Sequence, residues 1–440
     1  MKEQQDLSRK RKINIFWFRR DLRLQDNTAL YHALNAGLPV LPLFIFDTAI
    51  LERLEDRQDK RVDLIHQCLE NMHEDLLSRG RALYLLHDRP RQAFNRILEE
   101  FNVIEVYANR DYEPYARDRD QEIQQFLQRR GIALHLFKDQ VIFEEKEVLK
   151  PDGSPYQVYS PYFRTWSALY TERPPASHPS EDFLENLYSE TSFRFLSLRE
   201  IGFRKTGIKL PELQISGKAL ARYHLFRDFP GMEATSNAGV YLRFGLISIR
   251  RLVRSALEHS EAFLKELVWR EFFSMILFHF PWVENHNFKK KFEDFPWRNN
   301  ESEFRLWCEG NTGYPLVDAG MRQLNQTGYM HNRIRMITAG FLTKHLLIDW
   351  RWGEAYFAEK LLDYDLASNN GNWQWAAGTG CDAAPYFRIF NPTAQQKRFD
   401  PDLRYVNTWL KEPQEEYPLP VVAHDHARRR ALEAFRRHGL

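Results

Sequence analysis

The spacing of apolar residues changes partway along this chain. Between residues 13 and 138, short apolar runs alternate with amphipathic stretches, whereas beyond about residue 215 only helical spacing remains. Short runs that are bounded by polar turns and separated by helices are typical of buried parallel strands in an α/β sheet. The predicted strands are residues 13–18, 40–46, 82–86, 103–107 and 133–137.

One helix between these strands is predicted by apolar residues that recur every three or four positions from Val62 to Leu76, with Gly80 at its end. Helical spacing in the second half covers residues 262–280, 316–326, 330–347 and 354–362. We therefore predict an N-terminal α/β domain with a doubly wound parallel sheet and an all-α C-terminal domain. The predicted bounds are 1–138 for the first domain, 139–205 for an interdomain linker and 206–440 for the second domain.

Composition excludes several classes of protein. The 440 residues are 43% hydrophobic and 28% charged, and no apolar run approaches the roughly 20 residues that a membrane helix needs. Residues 1–12 are polar, so no signal peptide is indicated and we expect a cytoplasmic protein. The three cysteines form no C-x-x-C pair, which argues against a zinc site, an iron–sulfur cluster or a disulfide framework. A net charge of +2 argues against a uniformly basic nucleic-acid coat but allows a local basic patch.

Several common catalytic and binding motifs are absent from the sequence. The turn after the first predicted strand, residues 19–27, contains no G-x-G-x-x-G, so we do not expect ordinary dinucleotide binding in the first domain. A crevice at the carboxyl ends of the strands could still hold another ligand. The chain also contains no nucleophile elbow, Walker loop or H-E-x-x-H motif, so hydrolysis and phosphoryl transfer lack support.

Residues 307–400 combine amides, carboxylates, arginines and tryptophans with a helical pattern. A buried amide or carboxylate without a partner costs roughly 1–3 kcal/mol, and a bound polar cofactor could be that partner. By helical spacing, Asn332, Arg335 and Met336 can line one pocket wall. Arg333 points elsewhere, either to solvent or to a phosphate. Asp363 can pair with Arg335, face a cofactor, or do both.

A metal site is not indicated near Asp363, because an EF-hand loop needs an oxygen ligand and a glycine where this chain has Ala367 and Ser368. His331 has no serine, cysteine or second histidine at catalytic spacing, and we interpret it as structural. The residues by themselves therefore indicate a helical domain with a polar, tryptophan-rich interior that binds a planar or charged ligand.

Several motifs resemble those of a known family. They are Phe-Trp-Phe-Arg-Arg-Asp-Leu-Arg at 16–23, Asp-Tyr-Asp-Leu-Ala-Ser-Asn-Asn-Gly-Asn-Trp-Gln-Trp at 363–375, Asn-Pro at 391–392 and Phe-Asp-Pro at 399–401. The pattern spans nearly the whole chain and resembles the photolyase and cryptochrome flavoproteins, and within them the class I cyclobutane pyrimidine dimer (CPD) photolyases. The resemblance implies an N-terminal α/β antenna domain that a long linker joins to a helical, FAD-binding domain.

The resemblance also implies which residues bind FAD. They are Tyr223, Thr235, Ser236, Phe263, Asn332, Arg335, Asp363, Asp365 and Asn369. The Arg335–Asp363 pair would flank the isoalloxazine ring, and Asn369 would face its N5 atom. The family's T-S-x-L-S-P-Y-L loop differs here at Gly239, so one phosphate-binding hydroxyl is missing and backbone N–H groups could replace it.

A DNA-repair site follows from the same resemblance. The expected dimer-binding residues are Glu266, Trp269, Asn332, Arg333, Met336 and Trp375. A flipped-out dimer would lie between the two tryptophans, with Glu266 and Asn332 bonded to the base edges. Reduced FAD excited by blue or near-UV light would donate an electron that splits the dimer. The expected catalytic residues are Glu266 and Asn332, with Trp373, Trp350 and Trp297 as a chain that photoreduces oxidised FAD.

The antenna and the partner are the remaining expectations. Residues 109–115 lack the Asn-Glu pair of folate-binding members, which favours a deazaflavin-type second chromophore over folate, with an empty or flavin-filled site as the alternative. The alternative functions are a cryptochrome-type blue-light photoreceptor and a (6-4) photolyase. A cryptochrome would usually alter the lesion pocket, which is intact here, and add a long C-terminal tail, whereas this chain stops soon after the core. A (6-4) photolyase would need a histidine pair near the dimer, where this chain has Met-His-Asn-Arg at 330–333 and Met336. We expect UV-damaged DNA with pyrimidine dimers as the partner, no membrane, and a monomer in a bacterial-type cytoplasm, associated with the nucleoid through its function.

Overall fold

The computed structural model of the chain describes residues 11–412 and 417–438. Residues 1–10, which make up most of the polar segment used above to argue against a signal peptide, lie outside the described residues. The chain forms two compact units. The first unit comprises Met1–Glu144, Arg173–Glu212 and Ala238–Arg254, and the second comprises Glu145–Glu172, Leu213–Asn237 and Ser255–Leu440. Each unit draws on separate stretches of chain, and the predicted bounds at 138 and 205 stay a prediction.

The first unit contains one parallel sheet. Its strands are β1 Lys12–Phe18, β2 Val40–Asp47, β3 Tyr84–Asp88, β4 Asn102–Asn109 and β5 Ala133–Phe137. The strand order is β3-β2-β1-β4-β5, so the predicted doubly wound parallel sheet is confirmed, and each predicted strand is within two residues of the observed one. Residues 13–18 of the central strand β1 are all buried, which is why this run is apolar without alternation except at Asn14.

Helices make up most of the remaining chain. In chain order they are α1 Thr28–Leu34, α2 Thr48–Leu51, α3 Lys60–Ser78, α4 Pro90–Glu100, α5 Pro114–Gln128, α6 Tyr159–Glu172, α7 Gly217–Phe226, α8 Ala238–Phe244, α9 Ile249–His259, α10 Glu261–His279, α11 Glu301–Glu309, α12 Pro315–Thr327, α13 Asn332–Gly340, α14 Trp350–Lys360, α15 Leu366–Ala377, α16 Pro392–Phe399, α17 Arg404–Trp409 and α18 His424–Arg437. Short 3₁₀ segments lie at Ser180–Asn186, Pro281–Glu284 and Lys290–Phe292, and a π-helical turn lies at Phe341–His345. In the described part of the chain, none of these helices has both the length and the apolar character to cross a membrane.

The predicted helices are present. Helix α3 begins where the carboxylate of Asp59 accepts hydrogen bonds from the backbone N–H groups of Arg61 and Val62, and it ends before Gly80, which has a φ of +70°. The four helical segments predicted for the second half correspond to α10, α12, α13 with the π-helical turn that follows it, and α14. The all-α prediction for this half is therefore confirmed.

Part of the predicted linker is helical. Residues 159–172 form α6, whose buried side chains Tyr159, Tyr162 and Trp166 recur at intervals of three and four residues. Prolines and a glycine at 151–155 and prolines at 174–175 flank this stretch. The sequence therefore did not predict a helix from the spacing of these three aromatic side chains. The expectation of an irregular connection across all of 139–205 is wrong for these residues.

The turn after β1 is filled by paired charges of the first unit. Arg23 Nη2 lies 2.6 Å from Asp139 Oδ2, and Arg250 lies 2.9 Å from Asp139 Oδ1 and 3.2 Å from Asp26 Oδ2. Burial raises the pKa of the Asp139 carboxyl, but the two guanidinium groups outweigh this and lower it to about 2. These ion pairs occupy the loop at the carboxyl end of β1, the region that open α/β sheets use for ligands.

A substitution at Gly245 tests how closely this turn packs. Gly245 has a φ of +64°, and an added Cβ would lie 2.2 Å from the carbonyl oxygen of Arg20. Gly37 is a matched control because its φ is +82° but a Cβ there would meet nothing within 4 Å. We expect Gly37→Ala to lower the free energy of unfolding by about 1–2 kcal/mol through backbone strain, and Gly245→Ala to lower it by about 2–5 kcal/mol because overpacking adds to the strain. Urea unfolding measures both, and equal losses would contradict the close approach.

Candidate functional site

Two adjoining pockets lie in the second unit. The Asp363 pocket, of about 590 Å³ including its open mouth, is lined by residues that include Arg335, Asp363, Asp365, Asn369 and Trp373. The Glu266 pocket, of about 790 Å³ including its mouth, is lined by residues that include Arg227, Glu266, Trp269, Arg270 and Phe273. Both pockets are also lined by Asn332, Met336, Ser368, Asn372 and Trp375. Ligands in the two pockets would therefore contact the same wall.

Helix α15 supplies part of this wall. Asn369 and Trp373, four residues apart, line the Asp363 pocket, whereas Ser368, Asn372 and Trp375 line both pockets. Residues separated by three or four positions lie on one face of a helix, so one stripe of α15 faces the Asp363 pocket and the neighbouring stripe faces both pockets. The helix begins at Asp365, whose carboxylate accepts a hydrogen bond from the Ser368 N–H at 3.0 Å.

The other end of α15 is held by a buried lysine. Lys344 is 2% exposed, and its Nζ donates a hydrogen bond to the Ala377 carbonyl at 2.5 Å and lies 4.1 Å from the centroid of the Phe435 ring. Gly378 closes the helix in the left-handed conformation, with a φ of +88°. A cation at the last carbonyls of a helix is favourable because the helix dipole places partial negative charge there. Burial lowers the pKa of Lys344 to about 7, with a smaller contribution from the charge of Lys289.

Helix α13 forms the facing wall. Its residues Asn332, Arg335 and Met336 all line the Asp363 pocket, as the spacing predicted. His331 caps this helix, and its Nδ1 accepts a hydrogen bond from the Arg333 N–H at 3.1 Å. Burial is the main reason that the pKa of His331 falls to about 4. The structural interpretation of His331 agrees with this capping bond.

The predicted Arg335–Asp363 ion pair is present. Arg335 Nη2 lies 2.9 Å from Asp363 Oδ2, and Arg335 Nε donates to the Met330 carbonyl at 2.8 Å. Burial lowers the pKa of Arg335, but the Asp363 carboxylate outweighs that effect and raises it, so the guanidinium stays charged. The second carboxylate oxygen of Asp363, Oδ1, is buried and bonds to none of the residues that the structure describes. Such an oxygen beside a pocket is an acceptor for a ligand N–H or O–H.

Asn369 is oriented by a neighbouring carboxyl group. Its Nδ2 donates to Glu354 Oε1 at 2.8 Å and to the Glu354 carbonyl at 3.1 Å. Burial raises the pKa of Glu354, while the Asn369 bond opposes the rise. Both hydrogen bonds that the Asn369 side-chain amide donates go to Glu354. The side-chain carbonyl oxygen of Asn369 is therefore left to accept a hydrogen bond from a ligand in the pocket. Sequence reasoning missed Glu354, which no motif marked.

The predicted tryptophan chain runs from a buried to a half-buried position. Trp373 is 2% exposed and packs edge-on against Phe357, with ring centroids 4.9 Å apart. Trp350 is 1% exposed, and its Nε1 donates to Asn287 Oδ1 at 2.8 Å. Both belong to one hydrophobic cluster, and the half-buried Trp297 packs against the same cluster. The three tryptophans thus contact the same cluster, and their role in electron transfer stays a prediction.

The Glu266 pocket contains an ion pair that sequence reasoning missed. Arg227 Nη1 lies 2.7 Å from Glu266 Oε1. Burial lowers the pKa of Arg227, but Glu266 leads the effects that raise it overall. Arg227 lies on another segment 39 residues earlier (266 − 227), so no helical spacing connects the two. Arg270 could have been found, because it follows Glu266 by four residues on α10.

Arg333 does not line either of these two pockets. Its Nη2 lies 2.7 Å from Asp228 Oδ1, and its guanidinium lies 4.5 Å from the centroid of the Phe399 ring. The side chain is 18% exposed. The alternative of a fully solvated surface arginine is therefore wrong, and the predicted contact with DNA stays untested.

Four predicted FAD-binding residues lie outside the linings given above. Tyr223 and Phe263 pack edge-on with ring centroids 5.4 Å apart, and burial raises the pKa of Tyr223. The Thr235 hydroxyl lies 3.4 Å from the Tyr329 hydroxyl, and the Tyr329 ring centroid lies 5.7 Å from the Arg335 guanidinium. Ser236 is buried beside Thr235 in the chain. Thr235 is thus connected to the Asp363 pocket through Tyr329, and the four roles stay predictions.

The chain is similar to proteins of known activity. Residues 263–415 match the FAD-binding domain of DNA photolyase, and residues 14–180 match DNA photolyase. The deoxyribodipyrimidine photo-lyase of Alkalihalophilus pseudofirmus is 36% identical over 480 aligned positions, which cover 96% of this chain and 98% of the relative. The class III photolyase of Agrobacterium tumefaciens is 34% identical, with a TM-score of 0.85 and 98% of each chain covered. The Sulfolobus tokodaii photolyase, solved with two FAD molecules, is 31% identical, with a TM-score of 0.77 and coverage of 97% of this chain and 100% of that one.

The cap of α13 makes stability dependent on pH. Because the pKa of His331 is about 4 in the folded chain and near 6.5 when unfolded, the unfolded state binds the proton first as the pH falls from 6.5 to 4. The free energy of unfolding should therefore decrease over this range. His331→Asn keeps a capping acceptor but removes the titration, so the decrease should become shallower by about 1.4 kcal/mol per pH unit. Urea unfolding at several pH values measures both slopes, and identical slopes would contradict a buried, neutral His331.

Proposed function

The chain belongs to the DNA photolyase family, and on that premise we propose that it splits cyclobutane pyrimidine dimers in DNA in a light-dependent reaction. The observation that supports this most is the wall that the Asp363 and Glu266 pockets have in common. Electron transfer is fastest over short distances. A cofactor and a DNA base that both contact Asn332, Met336 and Trp375 would be close neighbours.

FAD is the cofactor, and the residues of the Asp363 pocket fit its flavin ring. The unpaired Oδ1 of Asp363 and the free carbonyl of Asn369 offer acceptors, the Arg335 guanidinium offers positive charge, and the ring of Trp373 is part of the wall. When bound, reduced and excited by blue or near-UV light, FAD supplies the electron that splits the dimer. The residues that hold its flavin part are Asn332, Arg335, Asp363, Asp365 and Asn369. Tyr223, Thr235, Ser236 and Phe263 hold the remainder of the molecule.

The Glu266 pocket receives the dimer. A dimer turned out of the duplex exposes apolar faces, which Trp269 and Trp375 can cover by stacking. Turning a base out of the duplex generally costs a few kcal/mol, and the cost is least at a damaged base. Extrusion therefore favours the lesion over intact DNA. Glu266 accepts hydrogen bonds from base N–H groups, and Arg227 holds this carboxylate in place before DNA binds. Asn332 reaches the base edge from α13, while Arg333 contacts the nearby DNA backbone.

Trp373, Trp350 and Trp297 carry electrons toward oxidised FAD in this proposal. The step requires aromatic side chains that lie close together and reach from the Asp363 pocket to solvent. The packing of the two buried tryptophans in one cluster, with half-buried Trp297 against it, supports such a route. The indole Nε1 of Trp373 bonds to none of the residues that the structure describes.

The type of lesion, the photolyase class and the antenna chromophore are finer parts of this proposal. Asn332 and Met336 line the lesion side where a (6-4) photolyase would need its histidine pair, which favours CPDs as the substrate. Because the Agrobacterium relative is a class III photolyase, membership of class I stays a prediction. For the antenna we retain a deazaflavin-type chromophore over folate, with a second FAD, as in the Sulfolobus relative, as the alternative. A monomeric state and a cytoplasmic location are also still predictions.

Light-dependent repair is the direct test. FAD-loaded, chemically reduced protein is incubated with an oligonucleotide that contains one thymine dimer, and the recovery of absorbance near the base maximum is followed under blue light and in the dark. We expect recovery only in the light, and none with an oligonucleotide that carries a (6-4) photoproduct. Bound, reducible FAD without recovery would contradict the proposal, and recovery of the (6-4) photoproduct alone would assign a different lesion.

Photoreduction tests the tryptophan chain. Trp373→Phe removes the member of the proposed chain that lines the Asp363 pocket, so photoreduction of bound, oxidised FAD should slow by roughly tenfold or more, which corresponds to about 1.4 kcal/mol of barrier. Repair by chemically reduced protein should continue, because that step does not use the chain. Trp282→Phe is the control, since Trp282 is 43% exposed and lies outside the three positions. Unchanged photoreduction in Trp373→Phe would disprove the assignment.

A further inference from the structure

A stacked aromatic pair lies behind the Glu266 pocket. The ring centroids of Tyr159 and Trp269 are 3.7 Å apart with an angle of 7° between their planes. Trp269 is half-buried and lines the pocket, whereas Tyr159 is 7% exposed and is absent from the lining of both pockets. Phe272 meets Trp269 edge-on, with centroids 5.5 Å apart. Tyr159 therefore covers one face of the indole, and part of the indole surface that is left lines the Glu266 pocket.

Tyr159 is itself fixed at two points. Its hydroxyl donates a hydrogen bond to the Lys265 carbonyl at 2.8 Å, and its backbone N–H donates to Asp382 Oδ2 at 3.0 Å. Lys265 precedes Trp269 by one turn of α10, and Asp382 lies in the segment that follows α15, the helix that carries Trp375. Tyr159 thus contacts both chain segments that bring a tryptophan to the Glu266 pocket.

Fixing an aromatic side chain in advance strengthens binding. A half-buried indole without support on its rear face could adopt several rotamers, and a stacked base would have to immobilise it. Immobilising one side chain lowers affinity by about two- to tenfold. An aromatic pair at stacking distance stabilises the binding orientation before the ligand arrives.

We propose that Tyr159 is a positioning residue for dimer recognition, which holds Trp269 with one open face toward the Glu266 pocket. This inference rests on the proposed function, because it takes the stacked ligand of Trp269 to be an extruded pyrimidine dimer. Tyr159 does not touch the dimer, and it acts through Trp269. The bases of intact DNA stay in the duplex and do not stack on Trp269, so the affinity for intact DNA does not depend on Tyr159.

The test compares dissociation constants of the FAD-loaded protein for matched oligonucleotides with and without one thymine dimer. Tyr159→Ala should weaken binding of the dimer oligonucleotide by about three- to tenfold and leave binding of intact DNA unchanged. Tyr159→Phe keeps the stack and should bind within about twofold of the wild type. Tyr170→Ala is the matched control, because Tyr170 lies on the same helix and stacks on Trp166, with centroids 5.3 Å apart. Tyr170→Ala should leave the dissociation constants for both oligonucleotides unchanged.

A double-mutant cycle separates positioning from general destabilisation. If Tyr159 acts through Trp269, Tyr159→Ala should add no further loss of dimer binding in a Trp269→Ala background. The fraction of bound dimer repaired in a single light pulse should be the same in Tyr159→Ala and wild type, because the change affects binding. Additive losses, or a Tyr159→Phe variant as weak as Tyr159→Ala, would overturn the inference.

Two further readouts keep the outcome clear. Bound-FAD absorbance and the melting temperature report whether Tyr159→Ala folds, and Tyr159→Leu, which keeps apolar volume without a ring, replaces it if it does not. Tyr159→Leu should show the same loss of dimer binding, and wild-type affinity in that variant would overturn the inference.

If Trp269→Ala binds the dimer as tightly as the wild type, the proposed lesion pocket is wrong. If Trp269→Ala weakens binding and Tyr159→Ala does not, only the role of Tyr159 is wrong.

Discussion

The position of helix α15 is the constraint on which both pockets depend. Its first turn is capped by Asp365, and its last carbonyls accept a hydrogen bond from the buried ammonium group of Lys344. One stripe of the helix carries Asn369 and Trp373, and the neighbouring stripe carries Trp375. Contacts at both ends hold the helix in place, and its position sets the separation between the two pockets.

The two units use buried charge in different ways. In the first unit, Asp139 bonds to two guanidinium groups, so its charge is satisfied by the protein. In the second unit, Asp363 pairs with Arg335 through one oxygen only, and the other oxygen is buried without a partner among the described residues. An unsatisfied buried acceptor lowers stability, and a protein retains one where a ligand completes the bonding. Because Asp363 also lines a pocket, a ligand N–H or O–H can complete the bonding of this oxygen.

Much of the fold could be predicted because local periodicity reflects burial. Strands β1 and β2 at the centre of the sheet are almost entirely buried and mostly apolar, and helices such as α3 and α12 have apolar residues that recur every three or four positions. Helix α6 was missed because prolines on both sides interrupt the pattern around its three buried aromatic side chains. Its importance also depends on a contact that no local pattern contains, the stack of Tyr159 on Trp269.

The sequence by itself determined the two kinds of domain, the family resemblance and the set of polar residues on α13 and α15, because these depend on composition and spacing within single segments. Only the tertiary structure decided which of these residues meet. The pairing of Arg227 with Glu266, the orientation of Asn369 by Glu354 and the support of Trp269 by Tyr159 all join segments that are distant in the chain. Such contacts depend on how helices pack against one another, and packing is a property of the whole core that no single segment encodes.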